Sequence, residues 1–303
     1  MNYPAQGQYA GRSSLDVKAM GKGSACGTFG ELLQGALEEE DSDFLVTFPI
    51  DRQAHATFIS DPARDELIVE PPQKQKSRRL AEMILRFFSL PLGGVLRLTA
   101  DIPVGKGLAS SSADLVATAR AIEDCFSLQL PVPLLETFMR QIEPSDGVMY
   151  PGVVSFFHRR VQLRELIGPL APLTVVSIDE GGEVDTIEFN RLPKQYTTAD
   201  RQEYQQLLDA MTTAIRQNDL ATIGKISTRS AILNQKLRPK RTLDQLLAIC
   251  EEVEGLGVSV AHSGTCLGIL LSPQHVRYQE QLTAASLHLQ QLADQVVIYH
   301  SST

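Results

Sequence analysis

The stretch that decides the fold is Pro103-Val104-Gly105-Lys106-Gly107-Leu108-Ala109-Ser110-Ser111-Ser112-Ala113, here named the glycine-serine loop. It follows a strand-like segment, Val95 to Ala100, and precedes a helix predicted to begin near Ser111. Glycines let a backbone approach a ligand closely, and a following helix points free N–H groups at the loop. Serine hydroxyls add donors and can ligate Mg²⁺. The stretch predicts a phosphate-binding loop, and the alternative is an ordinary glycine turn with serine caps.

Two common nucleotide-binding motifs are excluded. The chain has no Gly-x-x-x-x-Gly-Lys-Ser/Thr sequence, so it has no Walker P-loop. Gly105-x-Gly107 is followed by Ser110 where the third glycine of a Rossmann fingerprint would stand. The loop therefore represents a third kind of phosphate site.

The composition is that of an ordinary globular protein, with 303 residues, 43% hydrophobic and 21% charged. The formal net charge is -8, and basic residues cluster at Lys74, Lys76, Arg78 and Arg79, which we interpret as the exposed start of a helix. Nucleic-acid binding depends on many basic contacts to phosphate, so this acidic chain argues against such a partner.

Membrane and secretory classes are also disfavoured. No apolar stretch approaches the roughly 18 residues that span a bilayer, and the four cysteines show neither disulfide-framework nor zinc spacing. The polar N-terminus lacks the apolar core of a signal peptide. We expect a cytoplasmic location.

Strand-like and helix-like segments interleave, which predicts an α+β chain. We expect a loose leader over residues 1–20, an N-terminal domain over 21–167 and a C-terminal domain over 168–303. The boundary is set where the pattern breaks from Arg164 to Pro172, a stretch with Gly168, Pro169 and Pro172 close together.

The main predicted elements carry recognisable end signals. Ser77 is the expected N-cap of one helix and Asp200 that of another, with Glu203 completing a capping-box pattern. Another helix is expected to end near Glu143-Pro144. Strands are predicted at Phe44–Ile50, Ala54–Ile59, Val153–Phe157, Leu173–Ile178, Val258–Ala261, Cys266–Leu271 and Val296–His300.

Three ordered motifs carry a family resemblance. The glycine-serine loop resembles the phosphate-binding second motif of the GHMP kinases, the superfamily of galactokinase, homoserine kinase and mevalonate kinase. Ala25-Cys26-Gly27-Thr28-Phe29-Gly30-Glu31 resembles the first motif, and His262-Ser263-Gly264-Thr265-Cys266-Leu267-Gly268 resembles the third. The resemblance implies a ribosomal-protein-S5-like N-terminal domain, a ferredoxin-like C-terminal domain, and use of ATP with Mg²⁺.

A closer resemblance is to the L-threonine kinase branch, which serves cobalamin biosynthesis. It rests on Gly27 to Gly35, on Glu143-Pro144-Ser145-Asp146, and on Asp179 to Thr186. The resemblance implies phosphorylation of the L-threonine hydroxyl to O-phospho-L-threonine. The alternatives are a kinase of another small alcohol such as homoserine, or a catalytically silent member that binds nucleotide or metabolite.

The resemblance implies nucleotide-binding roles for the residues that match the family's second motif. Ser111 matches the serine that coordinates Mg²⁺, and Ser110 and Ser112 are neighbouring phosphate donors. The remaining expected nucleotide-binding positions are Pro103, Gly105, Lys106, Gly107, Leu108 and Ala109, although Lys106 could equally be a solvated lysine.

The resemblance also implies acidic site residues. Asp146 lies where relatives place the carboxylate that accepts or orients the substrate proton, and the alternative is an aspartate that caps the turn after Pro144. Glu143 is the expected acidic Mg²⁺ ligand, with Glu136 as its rival. Thr28 stands near the place where some relatives have a charge-stabilising lysine. The residues that bind the acceptor, and the oligomeric state, stay unassigned.

Overall fold

The computed structural model describes residues 19–38, 42–182, 196–261 and 264–302. It shows a mixed α+β chain made of two compact units, each assembled from separate stretches of sequence. The smaller unit comprises residues 19–25, 53–101 and 113–142, and the larger comprises 26–52, 102–112 and 143–302. The α+β class is thus confirmed. The predicted domain boundary between residues 167 and 168 stays a prediction. Residues 1–18 of the predicted leader lie outside the described residues.

The smaller unit contains the end of β2 (Asp43–Ser60), β3 (Leu67–Glu70), α1 (Gln75–Phe87), β4 (Gly94–Ala100), most of α2 (Ser110–Phe126) and α3 (Val132–Arg140). The end of β2 pairs antiparallel with β4, from Ala54 opposite Ala100 to Ser60 opposite Gly94, and β3 pairs parallel with β4. Phe58 packs against Phe126 with ring centroids 5.9 Å apart.

Glycines at the start of the chain allow a close approach inside this unit. A Cβ added to Gly21 would lie 2.3 Å from the Ala121 carbonyl oxygen, and one added to Gly23 would lie 2.3 Å from that of Ala117. Both contacts are shorter than any side chain tolerates, so only glycine lets this segment lie against α2.

The further elements belong mainly to the larger unit and are β1 (Met20–Ala36), β5 (Val153–Phe157), β6 (Gln162–Gly168), β7 (Thr174–Asp179), α4 (Thr198–Gln217), α5 (Leu220–Asn234), α6 (Leu243–Glu252), β8 (Gly257–Val260), β9 (Cys266–Leu271), α7 (Tyr278–Leu289) and β10 (Val296–His300). The larger unit is built on a sheet with the order β10-β7-β9-β8-β1-β2, and β5 pairs with β2 and β6. Its core lies where β7, β8 and β9 pack against α6 and α7.

Two predicted helix caps are wrong. Ser77 lies inside α1, which begins two residues earlier, after Lys74. Asp200 is the third residue of α4 rather than its N-cap, because the Thr197 side chain caps the helix and accepts the Asp200 N–H at 3.1 Å. The Asp200 carboxylate in turn accepts the Thr197 N–H at 2.9 Å, which completes a reciprocal capping box.

Other boundaries differ in an informative way. The helix expected to reach Glu143 ends at Arg140. The stretch expected to break the pattern from Arg164 onwards belongs instead to β6 as far as Gly168, because β5 offers it an antiparallel partner. Among the described residues, no helix has the length and apolar character needed to cross a membrane.

Candidate active site

The glycine-serine loop connects β4 to α2, which begins at Ser110. Gly105 and Gly107 have φ angles of +74° and +79°, in the left-handed region that glycine favours. Ala109 also has a positive φ, +58°, which costs a residue with a Cβ roughly 1–2 kcal/mol. The loop backbone therefore has an unusual conformation that depends on its two glycines.

The first and third motifs both contact this loop within the larger unit. The Thr28 N–H donates to the Leu108 carbonyl at 3.2 Å. A Cβ added to Gly264 would lie 1.9 Å from the Lys106 carbonyl oxygen, and one added to Gly107 would lie 2.6 Å from the Ala261 Cβ. The structure thus brings described residues of all three motifs together. His262 and Ser263 of the third motif lie outside the described residues.

Two successive loop serines bind the segment that carries the predicted acidic residues. The Ser111 hydroxyl donates to Glu143 Oε1, and the Asp146 N–H donates to Ser112 Oγ at 3.0 Å. Glu143 is buried, with 8% of its surface exposed. The structure therefore places Ser111, Ser112, Glu143 and Asp146 in one cluster. The rival Glu136 is buried on α3 in the smaller unit.

The environment of Asp146 raises the pKa of its carboxyl group. Burial raises the pKa of Asp146 and the neighbouring charge of Glu143 raises it further, to about 6, against a smaller lowering by Ser112. A carboxyl group with such a pKa is mostly ionised at pH 7 and can still take up a proton. This is the behaviour that a proton acceptor requires.

Lys106 forms an ion pair that sequence reasoning missed. Its Nζ lies 2.7 Å from Asp179 Oδ2 and donates to the Gly182 carbonyl at 2.7 Å. Burial alone would raise the pKa of Asp179, but hydrogen bonds from Lys106, Thr265 and the Gly181 N–H outweigh it and lower the pKa. Asp179 therefore ties the end of β7 to the loop. Its position at a strand end was the available signal.

Beside the loop lies a polar cavity of about 530 Å³, here named the basic pocket. Arg241 donates to the Glu180 carbonyl, which fixes one wall of the cavity. The run Arg238-Pro239-Lys240-Arg241 is itself a basic cluster in an acidic chain, and sequence reasoning passed over it. The lining residues are Glu180, Gly181, Gly182, Arg238, Pro239, Lys240, Arg241, Gly264 and Thr265.

The remaining predicted features are less involved in this cluster. Cys266 is buried and Cys26 is half-buried. Thr28 is buried next to the loop. Residues 183–186, at the end of the third stretch that carried the branch resemblance, lie outside the described residues. No group of three or more metal-binding His, Cys, Asp or Glu side chains occurs in the part of the chain that the structure describes.

Comparison with known proteins identifies the superfamily. The family described as GHMP kinases N terminal domain matches residues 76–152, and that described as GHMP kinases C terminal matches residues 211–282. An L-threonine kinase of Salmonella typhimurium is 32% identical over 248 residues, covering 80% of each chain. An L-threonine kinase of Citrobacter freundii is 29% identical, covering 80% of this chain and 83% of that one.

Solved structures show the same fold. A homoserine kinase from Cytophaga hutchinsonii has a TM-score of 0.74 at 18% identity, covering 96% of this chain and 97% of that one. A mevalonate kinase from L. major in complex with R-mevalonate has a TM-score of 0.66 at 16% identity, covering 96% and 99%. The two-domain GHMP kinase fold is thus confirmed, and the chain belongs to the GHMP kinases, a family of ATP-dependent kinases.

Proposed function

We propose that the chain transfers the γ-phosphoryl group of ATP to the hydroxyl oxygen of L-threonine, giving ADP and O-phospho-L-threonine. The observation that carries this acceptor is the similarity to two L-threonine kinases over 80% of the chain. The arrangement of the loop, the acidic segment and the basic pocket supports a transfer to a small alcohol that carries a carboxylate group.

The ATP phosphates bind at the glycine-serine loop in this proposal. The positive φ angles of Gly105 and Gly107 are compatible with backbone N–H groups that turn toward an anion. The N-terminus of α2 begins directly afterwards at Ser110, and its dipole favours negative charge. Lys106 is engaged by Asp179, so we assign phosphate binding mainly to the backbone and the serines.

Ser111 and Glu143 are the residues that would hold Mg²⁺. Their hydroxyl and carboxylate oxygens already lie within hydrogen-bonding distance of one another. Mg²⁺ prefers oxygen ligands, and needs only one or two carboxylates when substrate phosphates complete its shell. The donor set therefore fits the ion, which when bound would neutralise charge on the transferring phosphate.

Asp146 is the residue that receives the acceptor proton. A bond forms between the threonine hydroxyl oxygen and the γ-phosphorus, the bond from that phosphorus to the β,γ-bridging oxygen breaks, and the hydroxyl proton must leave. The bond between the Asp146 N–H and Ser112 Oγ anchors this residue to the loop. Asp146 thus links acceptor and nucleotide sites through one neighbouring serine.

The basic pocket is the place for the acceptor carboxylate. Lys240 and Arg241 each donate to a backbone carbonyl, of Gly264 and Glu180. We therefore assign the carboxylate to Arg238, whose guanidinium can form paired hydrogen bonds with it. The product would serve as precursor of the cobalamin aminopropanol linker, and we keep a cytoplasmic location as part of the proposal.

Coupled ADP release tests this proposal. With Mg-ATP, the protein is assayed on L-threonine, L-serine, L-homoserine and mevalonate, together with Ser111→Ala and Asp146→Ala. Preference for L-threonine, abolished by the first variant and depressed by the second, supports the proposal. Preference for another alcohol overturns the acceptor, and ATP binding without turnover on any alcohol favours a silent binding protein.

A further inference from the structure

Lys240 is a buried lysine that the proposed reaction does not use. It lies between α5 and α6 with 6% of its surface exposed. Its backbone N–H donates to Gln235 Oε1 at 2.8 Å, which fixes the start of the side chain. Its ammonium group donates to the Gly264 carbonyl. A buried ammonium is costly unless it is well paired, so this contact requires an explanation.

Gly264 connects Lys240 to the glycine-serine loop. A Cβ on Gly264 would lie 1.9 Å from the Lys106 carbonyl oxygen and 2.4 Å from the Gly107 nitrogen. The Gly264 backbone therefore presses directly on the two residues at the centre of the loop. Any displacement of Gly264 changes the support beneath Gly107, whose φ of +79° depends on its surroundings.

We propose that Lys240 is a positioning residue of the nucleotide site, whose ammonium group holds the Gly264 carbonyl and thereby keeps the loop at Lys106 and Gly107 in its ATP-binding conformation. The inference rests on the proposed placement of the ATP phosphates at this loop. Lys240 does not touch the nucleotide in this account, and its effect passes through the Gly264 backbone.

The surroundings of Lys240 make the contact sensitive to pH. Burial lowers its pKa and the charge of Arg238, from the same segment, lowers it further, to about 8. Glu180 after β7, Cys266 in β9 and Glu31 in β1 act in the opposite direction. The ammonium form therefore predominates at pH 7 and is lost as the pH rises past about 8, where the neutral amine is a weaker donor.

Equilibrium binding of Mg-ATP, with the folded state checked by thermal unfolding, tests the proposal. Lys240→Met should raise the Kd for Mg-ATP about tenfold or more at pH 7, because the free energy of a hydrogen bond from a charged group corresponds to a change in Kd of this size. Lys236→Met is the matched control, because Lys236 is an exposed lysine of the same segment paired with Asp200. Its Kd should stay within about twofold of the original.

Two further measurements separate positioning from general structure. The original protein should bind Mg-ATP more weakly at pH 9 than at pH 7, whereas Lys240→Arg should show the same Kd at both, because arginine stays charged. Gly107→Ala changes the loop directly, and it should weaken ATP binding strongly if the phosphates bind there.

The outcomes distinguish the proposed role of Lys240 from the proposed placement of the ATP phosphates at the loop. If Gly107→Ala weakens binding but folded Lys240→Met does not, the role of Lys240 is overturned and the phosphate site stands. If neither variant affects binding, the placement of the phosphates is wrong. If Lys240→Met fails to fold, the pH dependence of the original protein decides: a Kd that is equal at pH 7 and pH 9 overturns the proposal.

Discussion

The backbone N–H of Asp146 donates a hydrogen bond across 3.0 Å to the hydroxyl oxygen of Ser112, the third serine of the glycine-serine loop. This contact joins the residue proposed to accept the substrate proton to the loop proposed to bind phosphate. Positioning is a large part of phosphoryl-transfer catalysis, so the distance between these two groups matters directly.

Ser112→Ala should slow the reaction while the protein stays folded. The substitution removes the acceptor for the Asp146 N–H. The net free energy of one such hydrogen bond corresponds to a decrease in kcat of about 3- to 10-fold. Steady-state ADP release measures this change. Thr283→Ala removes a hydroxyl that bonds within α7 away from the site, and is the control. An unchanged kcat in Ser112→Ala would show that the contact is irrelevant to catalysis.

The rate should depend on the ionisation of Asp146. Because burial and the Glu143 charge raise the pKa of Asp146 to about 6, kcat/KM for the acceptor should rise as pH increases through 6 and level off above it. Ser112→Ala should shift the midpoint to higher pH, since the Ser112 hydrogen bond lowers the pKa of Asp146. ATP titrates identically in both proteins. A common midpoint would therefore contradict the assignment.

Asp146→Asn should gain stability while it loses activity. The pKa of Asp146 is higher in the folded chain than its ordinary 3.8, so folding favours the protonated form. The stabilising contribution is complete below pH 3.8 and is lost as pH rises through about 6. Above that, ionised Asp146 lowers the free energy of unfolding by up to about 3 kcal/mol.

Thermal unfolding at two pH values tests this prediction. The Tm of Asp146→Asn should exceed that of the original protein at pH 7.5, and the difference should shrink at pH 4. A lower Tm at pH 7.5 would mean that the ionised carboxylate is stabilised by its surroundings and is held for a structural purpose.

Glu143 and Glu136 differ in their expected effect on Mg²⁺. Glu143 accepts a hydrogen bond from Ser111, whereas Glu136 is buried on α3. Loss of a carboxylate ligand at constant volume, in Glu143→Gln, should raise the Mg²⁺ concentration for half-maximal activity about tenfold or more. Glu136→Gln is the matched control. A larger effect in Glu136→Gln would reverse the assignment.

Local sequence features predicted the parts of the fold that depend on local chemistry. Glycine spacing located the loop, and α2 begins one residue from its expected start. Short apolar runs with clear ends, such as Val153–Phe157 and Cys266–Leu271, match the observed strands residue for residue. These signals suffice because both strands are buried along almost their whole length, so nearly every position carries an apolar or small residue.

Features that depend on tertiary partners were not predictable in this way. β6 contains Arg164 and Glu165 and is mostly half-exposed, so it lacks the apolar signal of a buried strand. Its pairing with β5, and the bond from Arg216 to Glu165 at 2.7 Å, become apparent only in three dimensions. Thr197 and Asp200 both suit a helix N-cap, and only the geometry distinguishes them.

The site shows the same limit. The family resemblance made Glu143 and Asp146 candidates and left Glu136 as a rival. The contact of Glu143 with Ser111, which favours Glu143, becomes visible only in the folded chain. The basic pocket was missed because Arg238 to Arg241 belong to a connecting segment with no periodicity. The pocket forms only in the folded chain, where this segment lies beside Gly181, Gly182 and Gly264.

A competition experiment tests the central claim most directly. The protein is incubated with Mg-ATP and an equimolar mixture of L-threonine, L-serine and L-homoserine, and the phosphorylated products are quantified by mass spectrometry, so that the ratios report relative kcat/KM. We expect O-phospho-L-threonine as the main product, and a much smaller amount of it with Asp146→Asn. A predominance of phosphohomoserine or phosphoserine would contradict the proposed acceptor and leave a GHMP kinase of different specificity.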